Sequence, residues 1–584
     1  MERLQYEFSG YRLDAVSREL FGPDGAMISV TSKALDVLAY LIRQRDRVVD
    51  KDDLLAAVWA GRVVEENNLT QAISALRKAF GVRPPEHRFI ITVSGRGYRF
   101  VADVSEFDKV EAATPAPPQT ALAVLPFRSI SSGPRDELLE LGLAETLITQ
   151  LSRARQLRVR ALASSQHFRQ DLLHDPGAAG RQLGADYVVD GSAQRINGHL
   201  RVNVRLLSVA QGATIWADTL DASADSVFML QDRISDAVVK ALAVPPIVVP
   251  ERACSACDGS NPKAYRAWLR GHHLLQRPDE ANLKEALSAF RGAIDLDPAC
   301  TRAYAGMALA YRGLVHIDHE PDEMFTLAKA AVAQALAIDP DSGEALMAQG
   351  RNRQLYDWDW VGAEASLQRA IAVNPSLSEA YLAYAHLLTV QGRFDESLET
   401  VRQARELDPL SPLVNALYAG FLTAAGQSAA ADKQLQRALE LRPGFWIALQ
   451  IRGGITLDRG DVEAAVADLN MAVETSHRAS QILAVQAIVC AAAGDRARTQ
   501  AILDELRARR AEHYVPATSF AAVHLALGDV DAALDELERA YRERDIRMVF
   551  LKVDARWNPL RPQPRFRALA QRMGLAGDHG DSRL

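Results

Sequence analysis

Asn67, Asn68, Thr70, Gln71 and Ser74 fall within eight residues and are followed at once by Arg77 and Lys78. Side-chain amides and hydroxyls match the donor and acceptor pattern on base edges, whereas guanidinium and ammonium groups suit phosphate oxygens. A second cluster, Ser94-Gly95-Arg96-Gly97-Tyr98-Arg99, adds two more cations. From Arg62 to Arg99 there are seven basic residues against three acidic, although the 584-residue chain carries a net charge of −7. Nucleic-acid contact would therefore come from a local basic face and not from the overall field.

Elements able to hold these groups can be read around them. The spacing predicts a helix from about Asn67 to Phe80 that buries Leu69, Ile73, Leu76 and Phe80 and leaves the polar residues on other faces. Two short strands, Phe89 to Val93 and Tyr98 to Val101, flank Ser94-Gly95-Arg96-Gly97, whose glycines would supply the positive φ of a tight hairpin. Upstream, Leu4 to Leu13 and Leu20 to Val30 alternate apolar and polar residues around a Gly22-Pro23-Asp24-Gly25 turn, which suggests a small antiparallel sheet. Thr31 can cap a helix with the stripe Leu35, Leu38, Ala39, Leu41 and Ile42, and Asp50 can cap a second carrying Leu54, Leu55, Val58 and Trp59, ended by Gly61.

A sheet, three helices and a hairpin in this order, with VVDKDDLLAAVWAG, ISALRKAF and TVSGRGYRF, resemble the OmpR/PhoB-type winged-helix domain over residues 1–104. The resemblance implies that the third helix enters the major groove and that the hairpin wing meets the neighbouring minor groove or backbone. By position, Asn67, Asn68, Thr70, Gln71 and Ser74 would read bases or seat the helix. Ser94 belongs to the wing contact, and Arg77, Lys78, Arg96 and Arg99 would hold phosphates. Several exposed helix positions are neutral, so weak non-specific binding is expected.

The C-terminal block repeats. Gly392, Gly426, Gly460, Gly494 and Gly528 are each 34 residues apart, and Pro375, Pro409 and Pro443 keep the same interval. That period resembles the tetratricopeptide (TPR) helix-turn-helix repeat, and about eight units fit residues 261–545. Longer intervals at Pro340 and Pro298 suggest insertions near His316 to Pro321 and Arg277 to Asn282. Such an all-α solenoid offers a concave groove suited to a peptide or helix of a protein partner.

Residues 121–243 are read as an α/β block, with ALAVLPF as a buried strand, a long helix from Arg135 to Ala154 and strands near 157–161, 187–191, 200–207 and 215–220. AVLPF, GLAETLITQLSR and LGADYVVDGS resemble a domain of the TolB N-terminal-like type, which brings no catalytic residues to carry over. Linkers are expected at 105–120, with three prolines in EAATPAPPQT, and at 244–260, and a cap and tail at 546–584.

Other chemistry lacks its markers. No GxxxxGK[ST], GxGxxG before a helix, HExxH or GxSxG occurs, so no catalytic residue and no cofactor is expected. Cys254-Ser255-Ala256-Cys257 lacks a second CxxC and His316-Ile317-Asp318-His319-Glu320 lacks a placed fourth ligand; they read as incidental cysteines and a solvated loop, and no metal is expected. Asp136, Glu137, Glu140 and Glu145 read as a charged solvent face. Four cysteines, no signal-peptide pattern and no 18-residue apolar run point to a cytoplasmic chain without a membrane span.

The multidomain order of winged helix, α/β block and solenoid resembles ToxR/CadC-like and HilA-like one-component regulators. It implies a non-enzymatic, sequence-specific transcription regulator that binds promoter DNA, with the later blocks receiving a ligand or protein signal. Two copies on adjacent half-sites are expected. The alternative is a TPR scaffold whose winged domain contacts protein.

Overall fold

The computed structural model describes residues 4–9, 11–14, 19–22, 28, 30–58, 66–80, 88–93, 96–102, 104–108, 119–130, 137–154, 156–168, 175–196, 199–223, 227–244, 261–276 and 279–575. Its contacts divide into two compact units, Met1–Pro118 and Gln119–Leu584.

The first unit is a winged helix. Strands β1 (Leu4–Phe8), β2 (Tyr11–Asp14) and β3 (Glu19–Phe21) precede helix α1 (Ser32–Arg43). Strand β4 (Val49–Asp50), helices α2 (Lys51–Val58) and α3 (Glu66–Ala79), and strands β5 (Ile90–Val93), β6 (Gly97–Phe100) and β7 (Ser105–Asp108) follow. One antiparallel sheet runs β3-β2-β1-β7 and a second β4-β6-β5. Thr31 caps α1 by accepting from the amide of Ala34, and the stripe Leu35, Leu38, Ala39, Leu41 and Ile42 is buried. Residues 105–108, expected to begin a linker, instead pair with β1, Ser105 opposite Glu7 and Asp108 opposite Leu4. The turn at 23–25, together with Trp59 and Gly61, lies outside the described residues.

The second unit opens with β8 (Thr120–Val124), β9 (Arg128–Ser129), α4 (Glu137–Leu151), β10 (Leu157–Val159), α5 (Leu162–Ser165) and α6 (Pro176–Leu183). Strands β11 (Tyr187–Ile196), β12 (His199–Ser208) and β13 (Ala213–Ser223) and helix α7 (Val227–Ala241) complete the α/β block. The sheet order is β10-β8-β11-β12-β13, with β9 also on β11. Strand β8 is parallel to both neighbours and buried on both faces: Leu122 and Val124 meet α4 and α7, whereas Ala123 and Leu125 lie with α6. Glu140, expected on a solvent face, is buried, and its carboxylate accepts from the backbone N–H of Ser129 at 3.2 Å.

Eight helical hairpins follow among the described residues, the first starting at Pro262 and the eighth ending at Arg542. The glycine clock has a local cause: Gly392, Gly426, Gly460, Gly494 and Gly528 have φ from +75° to +87° and end the first helix of repeats 4 to 8, where a side chain would strain the backbone. The longer N-terminal intervals come from longer helices, 17 residues in Glu280–Leu296, 16 in Thr301–His316 and 18 in Pro321–Ile338, more than from loop insertions. First helices of successive repeats touch one another, as Thr301–His316 does Gly343–Asn352, so they lie on the inside of the curve.

The α/β block is bolted to this solenoid. Tyr265 of repeat 1 donates to the carbonyl of Gly142 at 2.7 Å, the amide of Ala161 donates to Leu407 O at 2.9 Å, and Val159 N donates to Ser376 Oγ at 3.2 Å. Ser164 Oγ accepts from Leu410 N and donates to the buried carboxylate of Asp408. Cys490 is a buried free thiol, whereas Cys300 is disulfide-bonded; Cys254 and Cys257, expected to be incidental, lie outside the described residues.

Candidate nucleic-acid interface

Helix α3 is held from beneath. Leu69, Ile73 and Leu76 are buried against α1 and α2, and its C-terminal end is fixed by an aromatic cluster centred on Phe8. Phe8 meets Phe80 edge-on at 5.7 Å and Phe100 at 5.1 Å, while Tyr11 donates to the carbonyl of Phe80 at 3.2 Å. Packing of this kind leaves the opposite side of the helix for polar residues.

On that side Asn68, Thr70, Gln71, Ser74 and Lys78 are all exposed. Gln71, Ser74 and Lys78 stand at i, i+3 and i+7, one stripe along the helix. Asn67 lies in α3, and its side chain is outside the described residues.

Arg77 is placed differently. Its Nε and Nη2 donate to the carbonyl of Ile90 at 3.3 and 2.8 Å, and Nη2 also reaches Thr92 Oγ1 at 2.8 Å. The guanidinium therefore ties α3 to wing strand β5, with two of its three nitrogens committed. Lys78, one residue on, is exposed.

The wing is the β5–β6 hairpin, closed by Arg96 N donating to Val93 O at 3.0 Å. Arg96 and Arg99 are exposed, and Arg99 Nε donates to the carbonyl of Arg45 at 3.1 Å. This brings Arg45, a residue no local pattern singles out, beside Arg99 from 54 positions away. Ser94 and Gly95 lie outside the described residues. Gly97 is needed for space and not for a left-handed turn: its φ is +159°, and a Cβ there would stand 2.0 Å from Val49 O on the neighbouring strand.

Elsewhere, no group of three or more His, Cys, Asp or Glu among the described residues could hold a metal. No described helix is long and apolar enough to cross a membrane.

Residues 25–100 match the family described as the C-terminal domain of transcriptional regulatory proteins. Residues 118–237 match the second domain of HilA/YgeH-like transcriptional regulators, and residues 355–421 a tetratricopeptide repeat. The transcriptional regulator HilA of Salmonella typhi is 22% identical over 386 residues, 65% of this chain and 67% of that protein. A protein named putative adenylate cyclase 3 from Rhizobium meliloti (strain 1021) is 27% identical over 193 residues, 33% of each chain. Among solved structures, the DNA-binding domain of E. coli CadC aligns over its full length with 18% of this chain, at 21% identity and a TM-score of 0.17. The chain thus joins an OmpR/PhoB-type winged-helix domain to a HilA/YgeH-like second domain and tetratricopeptide repeats.

Proposed function

We propose that the chain is a sequence-specific DNA-binding transcription regulator of the one-component type. The observation that carries this reading is the stripe Gln71, Ser74 and Lys78 with Asn68 on the open side of α3, exposed and without partners among the described residues, while the opposite side is locked into the core. In this reading α3 lies in the major groove, with Asn67, Asn68, Thr70, Gln71 and Ser74 at base edges or seating the helix. Lys78, Arg96 and Arg99 hold phosphates, Ser94 sits at the wing contact, and Arg77 acts chiefly by fixing α3 to the wing.

Two copies on neighbouring half-sites supply useful affinity, because one small domain buries limited surface. The α/β block and solenoid receive a ligand or protein signal, the protein works in the cytoplasm, and it catalyses no reaction. The relatives named as transcriptional regulators support this. The chain, although similar over 193 residues to a putative adenylate cyclase, carries no GxxxxGK[ST] motif and no GxGxxG before a helix.

Gln71→Ala and Arg96→Ala separate reading from holding. In fluorescence anisotropy on a bound duplex and its single-base variants, Gln71→Ala is expected to lose about 1–3 kcal/mol of discrimination at one base pair. Arg96→Ala weakens all duplexes alike and lowers the salt slope by about 0.9. Equal binding of every duplex by the parent chain would end the proposal.

A further inference from the structure

Five basic side chains from distant parts of the second unit converge inside the solenoid. Arg312 and His316 lie on the first helix of repeat 2 and Arg351 on that of repeat 3. His386 lies on the first helix of repeat 4, and Arg547 on the Ile546–Phe550 turn after repeat 8. The solenoid closes on itself to achieve this: Phe550 stands edge-on to His386 at 5.0 Å, Lys552 Nζ donates to Gln391 O at 2.9 Å, and Trp360 Nε1 donates to Met573 O at 2.7 Å. The inner face expected as an open peptide groove is therefore occupied, at repeats 3 and 4, by the chain's own C-terminal segment.

The resulting lumen is surrounded by protein but open to water. His316 is exposed to water, and Arg312 and Arg351 are half-exposed, yet loss of bulk solvent is the largest influence on all three and on His386. Enclosure, joined for Arg351 by repulsion from Arg312, lowers Arg351 to about 9, and enclosure lowers Arg312 to about 10. Enclosure and the neighbouring cations hold His316 and His386 well below the usual histidine range, so both rings are neutral near pH 7.

Among the described residues no carboxylate pairs with Arg312 or Arg351. Arg351 Nη1 donates instead to Gln354 Oε1 at 2.9 Å. The Gln354 amide nitrogen then faces His386 Nδ1 at 2.7 Å, which leaves the proton on Nε2 of that ring. Arg547 shares Gln481 Oε1 between Nε and Nη2, has the buried Asp545 at 3.9 Å, and its Nη1 lacks a hydrogen bond. Among the described residues, Arg312, Arg351 and Arg547 together have one carboxylate within ion-pair reach, Asp545 beside Arg547. Like charges gathered there without counter-charge are costly unless a ligand supplies it.

We propose that this lumen is a binding site for a small phosphorylated molecule, its phosphate held by Arg312, Arg351 and Arg547. The phosphate group carries nearly two negative charges at neutral pH and offers three acceptor oxygens to guanidinium forks. His386 Nε2–H and His316 supply neutral polar groups beside them.

The test titrates the full chain with sodium phosphate by calorimetry, against sodium chloride at equal ionic strength and against sodium citrate. Saturable uptake of about one phosphate per chain is expected, with a melting temperature raised above the chloride control. Affinity should fall roughly tenfold or more in Arg351→Gln and stay unchanged in Arg96→Ala, a cation of the winged domain. Arg312→Lys keeps the charge but loses the fork, and is expected to weaken binding even if Arg351→Gln fails to fold. Phosphate behaving as chloride, citrate binding where phosphate does not, or phosphate binding equally well in Arg312→Lys and in a folded Arg351→Gln would each overturn the assignment.

Discussion

Arginine serves opposite ends in the two units. On the winged helix Arg96 and Arg99 are exposed, hydrated and screened by salt, so their presence costs folding little and their effect is felt through ionic strength. Inside the solenoid Arg312 and Arg351 are enclosed by protein and face other cations, so their effect is felt through desolvation and through whatever occupies the lumen. Exposure makes a charge a salt-dependent tool for binding a long polyanion. Enclosure makes the same charge a selective one for a small ligand, or a source of pH dependence.

The largest effect expected on this contrast comes from separating the units. Phe8→Ala removes the centre of the aromatic cluster and is expected to cost the winged helix about 3–5 kcal/mol. DNA binding falls with it, while hydrogen exchange in the solenoid stays unchanged. Loss of solenoid protection in that variant would mean that the two units do not fold independently.

Next comes an enclosed anion. Asp408 is buried beside Ser164, and that burial pushes its carboxyl up to about 7. The folded pKa lies above the unfolded value of about 3.9, so the folded state binds the extra proton between those values. Stability from this group is present at low pH and is lost as pH rises through 7, by about 1.4 kcal/mol per pH unit at most. Asp408→Asn is expected to remove that slope in urea unfolding at pH 5, 6 and 7. Equal pH dependence in variant and parent would show that Asp408 ionises freely.

The smallest effects distinguish two adjacent cations. Arg77→Ala is expected to lower the stability of the winged helix by about 1–3 kcal/mol, because Ile90 O and Thr92 Oγ1 lose a charged donor, with the salt slope of DNA binding unchanged. Lys78→Ala is expected to leave stability within about 0.5 kcal/mol and to reduce the slope by about 0.9. The reverse pattern would exchange their roles.

Features set by near neighbours were legible in the sequence, and those set by distant ones were not. The stripe Leu69, Ile73 and Leu76 and the glycines every 34 residues obey the geometry of single helices and caps, so periodicity alone places them. Arg77 has the same type and spacing whether it faces a phosphate or Ile90 O; only the approach of β5 decides. The strand Ser105–Asp108 needs β1 as a partner about 100 residues earlier. Glu140 lies beneath β9, and the lumen exists because repeat 8 and its following turns come back to repeats 3 and 4. No short-range pattern encodes such returns.

Mapping the DNA bound by the full chain across its host genome, at physiological salt, tests sequence-specific regulation itself. A limited set of reproducible sites sharing a short motif, as two half-sites about 10–11 bp apart, is expected, and their loss in a chain carrying both Gln71→Ala and Ser74→Ala. Uniform occupancy with no shared motif, or sites unaffected by that double substitution, would contradict it.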